Sequence, residues 1–119
     1  MPGGINYLAF EPCFDVSADN NTSVEIDAGS VFEIVGFFFP AMTGTAITVY
    51  ASPTSGGTFT QVKDSDNAAV SIVVSGTATY VGLTETEQAA LRGCRFIKLE
   101  SNGTEAADRD ITVAVQRRW

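Results

Sequence analysis

The chain has 119 residues, 45% of them apolar or aromatic and 18% charged, with fourteen acids against seven bases and a formal net charge of -7. That is the length of one domain with enough apolar material for a core, which excludes intrinsic disorder, while the acidity opposes binding to nucleic-acid phosphates. Histidine is absent, which removes the commonest metal ligand and the commonest general base together.

No stretch approaches the roughly 20 apolar residues of a membrane-spanning helix, so no membrane role is expected. The opening MPGGINYLAF lacks the basic start of a secretory signal, so synthesis and retention in a cytoplasm are expected. Two cysteines, Cys13 and Cys94, are too few for a disulfide framework; a single bridge and two small buried thiols both remain open, the second being the simpler.

Residues 1–20 carry Ile5, Tyr7, Leu8, Phe10, Phe14 and Val16 among Gly3, Gly4 and Pro12 with no clean period. They read as an extended N-terminal arm that packs against another surface, with residues 21–119 forming the domain proper. Asp19, Asn20 and Asn21 make a turn cluster, after which Val24 and Ile26 alternate with polar neighbours as a strand buried on one face. Residues 31–39, VFEIVGFFF, are apolar on both faces: Phe32, Ile34 and Phe38 on one, Val31, Val35, Phe37 and Phe39 on the other. Such a strand at a sheet edge would aggregate, so it is expected to be central, covered by the arm, or buried by another subunit.

In residues 47–62, ITVYASPTSGGTFTQV, Ile47, Val49 and Ala51 alternate with Thr48 and Tyr50 up to Pro53. Ser55, Gly56 and Gly57 supply the turn of a β-hairpin, and Phe59 is the large side chain of the returning run. Residues 63–67 form a polar loop in which Asp64, Asp66 and Asn67 could begin a calcium site, although no distal glutamate completes it and a solvated turn fits better. Val70, Ile72 and Val74 mark a further strand, with Gly76 and Thr77 as a two-residue turn into residues 78–81. Thr84 with Glu87 three positions on is a capping box, predicting one short helix over residues 84–91 with Gly93 as a left-handed stop.

Ile97 and Leu99 face inward on residues 95–101. The sequon-like Asn20, Asn21 and Asn102 read as turn chemistry without a secretory signal. Glu105, Asp108 and Asp110 read as an acidic surface loop screened by Arg109 rather than a carboxylate pair for acid–base work. Ile111, Val113 and Val115 alternate as the closing strand before Arg117, Arg118 and Trp119. About eight short strands with polar turns and one helical turn predict an all-β fold, an antiparallel β-sandwich of jelly-roll type. No serine motif with an activating base occurs, so an enzyme is not expected, and no cofactor is implied.

The series ITVYAS, a Gly-Gly turn, TFTQV, AVSIVV, a short helix, RFIKLES and ITVAV over residues 47–115 resembles the discoidin-like, galactose-binding type of jelly roll. More narrowly, it resembles the small capsid decoration or cement proteins of tailed bacteriophages. That resemblance implies a structural virion protein on the outer capsid surface, bound to the major capsid protein as a homotrimer. Where sugar-binding relatives place aromatics and paired acids or amides in the loops, this chain offers mostly Ser, Thr, Gly and Ala, so a carbohydrate-binding module is the alternative, favoured if Tyr50, Tyr80 or Trp119 stands as an exposed aromatic platform, with a tail or fibre adaptor as a third class. The candidate partner-binding residues are Tyr7, Phe10 and Phe14 of the arm, Phe37 and Phe39 of the doubly apolar run, and Arg117, Arg118 and Trp119, whose basic and aromatic character suits an interface.

Overall fold

A computed structural model describes residues 4–117. Among them are nine strands and one helix: β1 (Ile5–Phe14), β2 (Ile26–Asp27), β3 (Phe32–Phe39), β4 (Ala46–Ser52), β5 (Thr60–Gln61), β6 (Ser71–Val73), β7 (Thr79–Gly82), α1 (Glu85–Leu91), β8 (Phe96–Ser101) and β9 (Arg109–Arg117). They form two antiparallel sheets, one ordered β1-β9-β3-β7 and the other β2-β8-β4-β5 with β6 also paired to β4. The first strand pairs with the last, and early and late strands interleave in both sheets, which is the order of a jelly roll.

The core lies between the sheets. Phe14, Ile34, Phe37, Phe39, Ile111, Val113 and Val115 point inward from one, and Ile26, Ile47, Val49, Ile72, Ile97 and Leu99 from the other, all buried. Strict alternation on β4, β8 and β9 puts every second side chain there, and burying these large apolar groups supplies the main favourable term of folding. Leu91 closes the core from α1.

Several expectations need correction. Residues 5–14 do not stand off as an arm: β1 is a full strand of the four-stranded sheet, with residues 5–10 in continuous register against β9 from Gln116 to Ile111. Cys13 and Phe14 at its end are fully buried, so the strand is part of the domain. On β3 the two apolar faces do not persist, because a bulge between Ile34 and Gly36 shifts the register against β9. The extra residue flips the phase, turning Ile34, Phe37 and Phe39 all inward and leaving Phe38 outward. Strand β3 lies between β9 and β7, an interior position that protects it from edge pairing.

Gly76 and Thr77 do not close a hairpin: β6 and β7 lie in opposite sheets, so the chain crosses the sandwich there. The β4–β5 hairpin forms as expected, with Gly56 at φ 70° in the turn and Tyr50 and Ala51 paired to Gln61 and Thr60. Both thiols are free, Cys13 buried and Cys94 half-buried. Burial pushes the Cys13 thiol up to about 12, so it is an inert apolar side chain at neutral pH.

The helix begins where the capping box places it. The Thr84 hydroxyl accepts from the Glu87 N–H at 3.2 Å, and the Glu87 carboxylate accepts from the Thr84 N–H at 2.9 Å. Gly93 is not its left-handed stop: the helix ends on Arg92 in right-handed geometry, and only Gly29 and Gly56 among the described glycines have positive φ. Thr84→Ala is expected to cost about 1 kcal/mol of stability, measurable by urea unfolding, because it orphans the Glu87 N–H.

Candidate partner-binding face

The outer face of the four-stranded sheet carries a row of aromatic side chains. Tyr7 on β1, Phe38 on β3 and Tyr80 on β7 all point away from the core, 61%, 43% and 46% exposed. Tyr7 and Phe38 meet edge to face with ring centres 5.9 Å apart, reaching over β9, and Phe38 lies tilted against Tyr80 at 4.5 Å. The arrangement follows from register: Phe38 stands opposite both Thr112 on β9 and Tyr80 on β7, so the three strands bring their outward positions into one line.

Small residues make room for the rings. The Tyr80 hydroxyl occupies the place that a Cβ on Gly36 would take, so this glycine is what lets the ring fold across β3. Ala114, outward-facing on β9, is opposite both Tyr7 and Gly36 in register and is almost fully covered. Between Phe38, Pro40, Thr79, Tyr80, Asp110 and Thr112 lies an open hollow of about 450 Å³, and a second one between Tyr7, Phe38 and Thr112 adjoins it. The face therefore combines apolar ring surface with the Asp110 carboxylate and the hydroxyls of Thr79, Thr112 and the two tyrosines. Of the six large apolar side chains that are substantially exposed among the described residues, Ile5, Tyr7, Phe38 and Tyr80 share this face, and Val24 and Val73 lie elsewhere. Apolar area concentrated in one patch is the usual mark of a binding surface.

The expected site residues divide sharply. Tyr7 belongs to the face. Phe10 is half-buried against the core, and Phe14, Phe37 and Phe39 are inside it at 0%, 0% and 3% exposure, so their apolar area is used within the sandwich rather than offered to a partner. Arg117 is exposed at the end of β9, while Arg118 and Trp119 lie outside the described residues. Phe38 was not among the expected partner residues, and Tyr80 was expected only as a platform of the sugar-binding alternative. The bulge that turns Phe38 outward has no local sequence signal apart from Gly36, and β7 is too short for its alternation to show which way Tyr80 points. Tyr50 is half-buried, and its hydroxyl lies 3.3 Å from Glu100, so it offers no free platform.

The loop before β9 is not a solvated acidic surface. Glu105 is 2% exposed and accepts hydrogen bonds from the Thr43 and Gly44 N–H groups at 2.9 and 2.8 Å, from the Ser101 hydroxyl at 2.8 Å and from Arg109 Nε at 2.9 Å. Burial raises its pKa, but these four donors outweigh that effect and hold the carboxyl below its ordinary value. Arg109 thus anchors a carboxylate instead of screening a cluster, and its Nη2 also donates to the Thr43 hydroxyl. Asp108 accepts the Val16 N–H. At the other polar loop, Asp64 Oδ1 accepts from the Asp66 and Ala68 N–H groups and Asn67 adopts φ 63°, an Asx-type turn held by its own backbone. Among the described residues no group of three or more Cys, Asp or Glu side chains is placed to hold a metal ion.

No family model matches the chain, and no curated protein matches it. Among solved structures it is similar to the crystal structure of the SPBc2 prophage-derived protein YomS, with a TM-score of 0.50 and 13% identity over 95% of each chain. At that identity the likeness is one of fold, and it extends nearly end to end.

Proposed function

We propose that this chain is a structural subunit of a bacteriophage particle, a decoration or cement protein that binds the major capsid protein on the outer shell as a homo-oligomer. The observation that carries the reading is the exposed row Tyr7–Phe38–Tyr80 on a rigid sheet, since aromatic side chains presented by fixed backbone are what interface hot spots are made of. The end-to-end fold likeness to a prophage-derived protein supports a phage origin. The mechanism is linkage: a subunit that binds only the assembled, expanded shell stabilises that state in proportion to its occupancy, and no chemistry is needed.

A sugar ligand is the second reading, and one observation favours it. The hollow beside Phe38 and Tyr80 places Asp110, Thr79 and Thr112 next to ring faces, the groups that would accept sugar hydroxyls and stack on sugar C–H faces. Co-sedimentation with shells lacking the protein, run beside a glycan array, tests the two. The proposed role requires saturable binding to assembled shells and a higher shell melting temperature. Changing Arg117 and Arg118 to Glu is expected to slow association and alter its salt dependence, as for charges that steer encounter. Saturable binding to a defined glycan without shell binding would overturn the particle role and put the sugar reading in its place.

A further inference from the structure

Sheet edges in this fold are not equal. Strand β2 has two residues, β5 two, β6 three and β7 four, whereas β1 presents ten residues at the edge of its sheet. Short edges are one way a protein avoids pairing with other chains; charge, proline and bulges are others. On β1 those devices lie only in the second half, where Glu11, Pro12 and the register shift between Phe10 and Phe14 fall. The first half, Ile5 to Phe10 (INYLAF), carries no charge in a chain of net charge -7, and it is the regular part of the pairing with β9. Its free side is a row of backbone donors and acceptors, whose chemical complement is another extended strand.

We infer that two copies of this chain pair antiparallel through the β1 edges, joining their four-stranded sheets into one. An antiparallel strand is its own complement about a two-fold axis, so the same stretch serves on both sides. The acidic chains meet where neither has charge, and Glu11 of each copy falls at the opposite end of the pair from its counterpart. Residues directly opposite in an antiparallel pair point to the same face, so Tyr7 of one copy meets Tyr7 or Ala9 of the other. Tyr7 is the most exposed member of the aromatic row because it stands on this open edge; pairing covers it and runs the two rows together. Ile5, 44% exposed on the same strand, is covered in the same step.

The test uses the isolated full-length protein, so its outcome is independent of particle binding. Light scattering on a sizing column at a concentration of the order of 0.1 mM should give twice the 12.6 kDa chain mass, falling toward one chain on dilution. Hydrogen exchange should show those amides of residues 5–10 that point away from β9 slowed in the concentrated sample and quickened on dilution. Tyr7→Glu, an outward and exposed position, places two carboxylates at the two-fold and should give a folded monomer by circular dichroism, with those amides fast. Should that variant fail to fold, the dilution series on the unmodified chain still decides. One chain mass at all concentrations, three chain masses, or a dimer whose residue 5–10 amides exchange no more slowly than in dilute protein would each overturn the edge pairing.

Discussion

Glu105→Ala is expected to lower stability by about 3 kcal/mol, the order observed when one partner of a buried ion pair is removed, and Tm by about 10 °C or more. The side chain is enclosed, and its loss takes the acceptor from the Thr43 and Gly44 N–H groups and the Ser101 hydroxyl and the carboxylate partner from Arg109 at once. The exposed pair between Arg95 and Asp27, also at 2.9 Å, sets the scale for an ordinary contact: both side chains are about half exposed, so Asp27→Asn should cost less than about 1 kcal/mol. The carboxyl of Glu105 is held below its ordinary pKa, so its contribution is fully present above that ordinary value and is lost as pH falls through the folded one. Asp19, Glu25 and Asp27 are lowered as well, by hydrogen bonds to backbone, to Ser55 and to Arg95 respectively, so the whole protein should lose stability in acid. Glu105→Gln should flatten the acid limb of a Tm-against-pH profile without abolishing it. An unchanged profile, or a Glu105→Ala cost no larger than that of Asp27→Asn, would show that the network contributes nothing beyond a surface contact.

What was legible in the sequence is what depends on near neighbours. The β4–β5 hairpin follows from Gly56 and the alternation before Pro53, and the start of α1 follows from Thr84 and Glu87, three residues apart. The jelly roll itself was legible as a count of short alternating strands. Glu105 was not, because two of its four donors are the backbone N–H groups of Thr43 and Gly44, brought beside it only by the packing of loops distant in sequence. For β1 the difficulty lay in its two faces: Ile5 and Tyr7 point out, Leu8 and Phe10 point in, and both sets are apolar, so the period vanishes although the strand is regular. The candidate face was half legible. Tyr7 was identified, yet Phe38 changes side through the bulge after Ile34, and Phe14, Phe37 and Phe39 answer to core packing. Gly76 and Thr77 have the composition of a tight turn, which a sheet-to-sheet crossing shares, so local chemistry alone does not distinguish the two.

Phe38→Ala and Tyr80→Ala are each expected to weaken binding to the particle surface by about 30-fold or more, the effect of losing an aromatic hot spot worth about 2 kcal/mol. Both side chains are nearly half exposed and outward, so the sandwich should stay folded with near-native circular dichroism. Gly36→Ala is the sharper experiment, since it removes no aromatic group. Its added methyl needs the space now held by the Tyr80 hydroxyl, and because that atom is the far end of a side chain, the ring can swing aside without moving backbone. The variant should therefore keep its Tm within a few degrees while losing affinity nearly as far as Tyr80→Ala, because the ring is present but misplaced. Val73→Ser supplies the comparison. At 77% exposure Val73 is fractionally more exposed than any member of the row, but it lies on the other sheet, so its loss should leave binding unchanged. If Val73→Ser weakens binding while Gly36→Ala, Phe38→Ala and Tyr80→Ala do not, the partner docks on the opposite sheet and the aromatic row serves some other purpose.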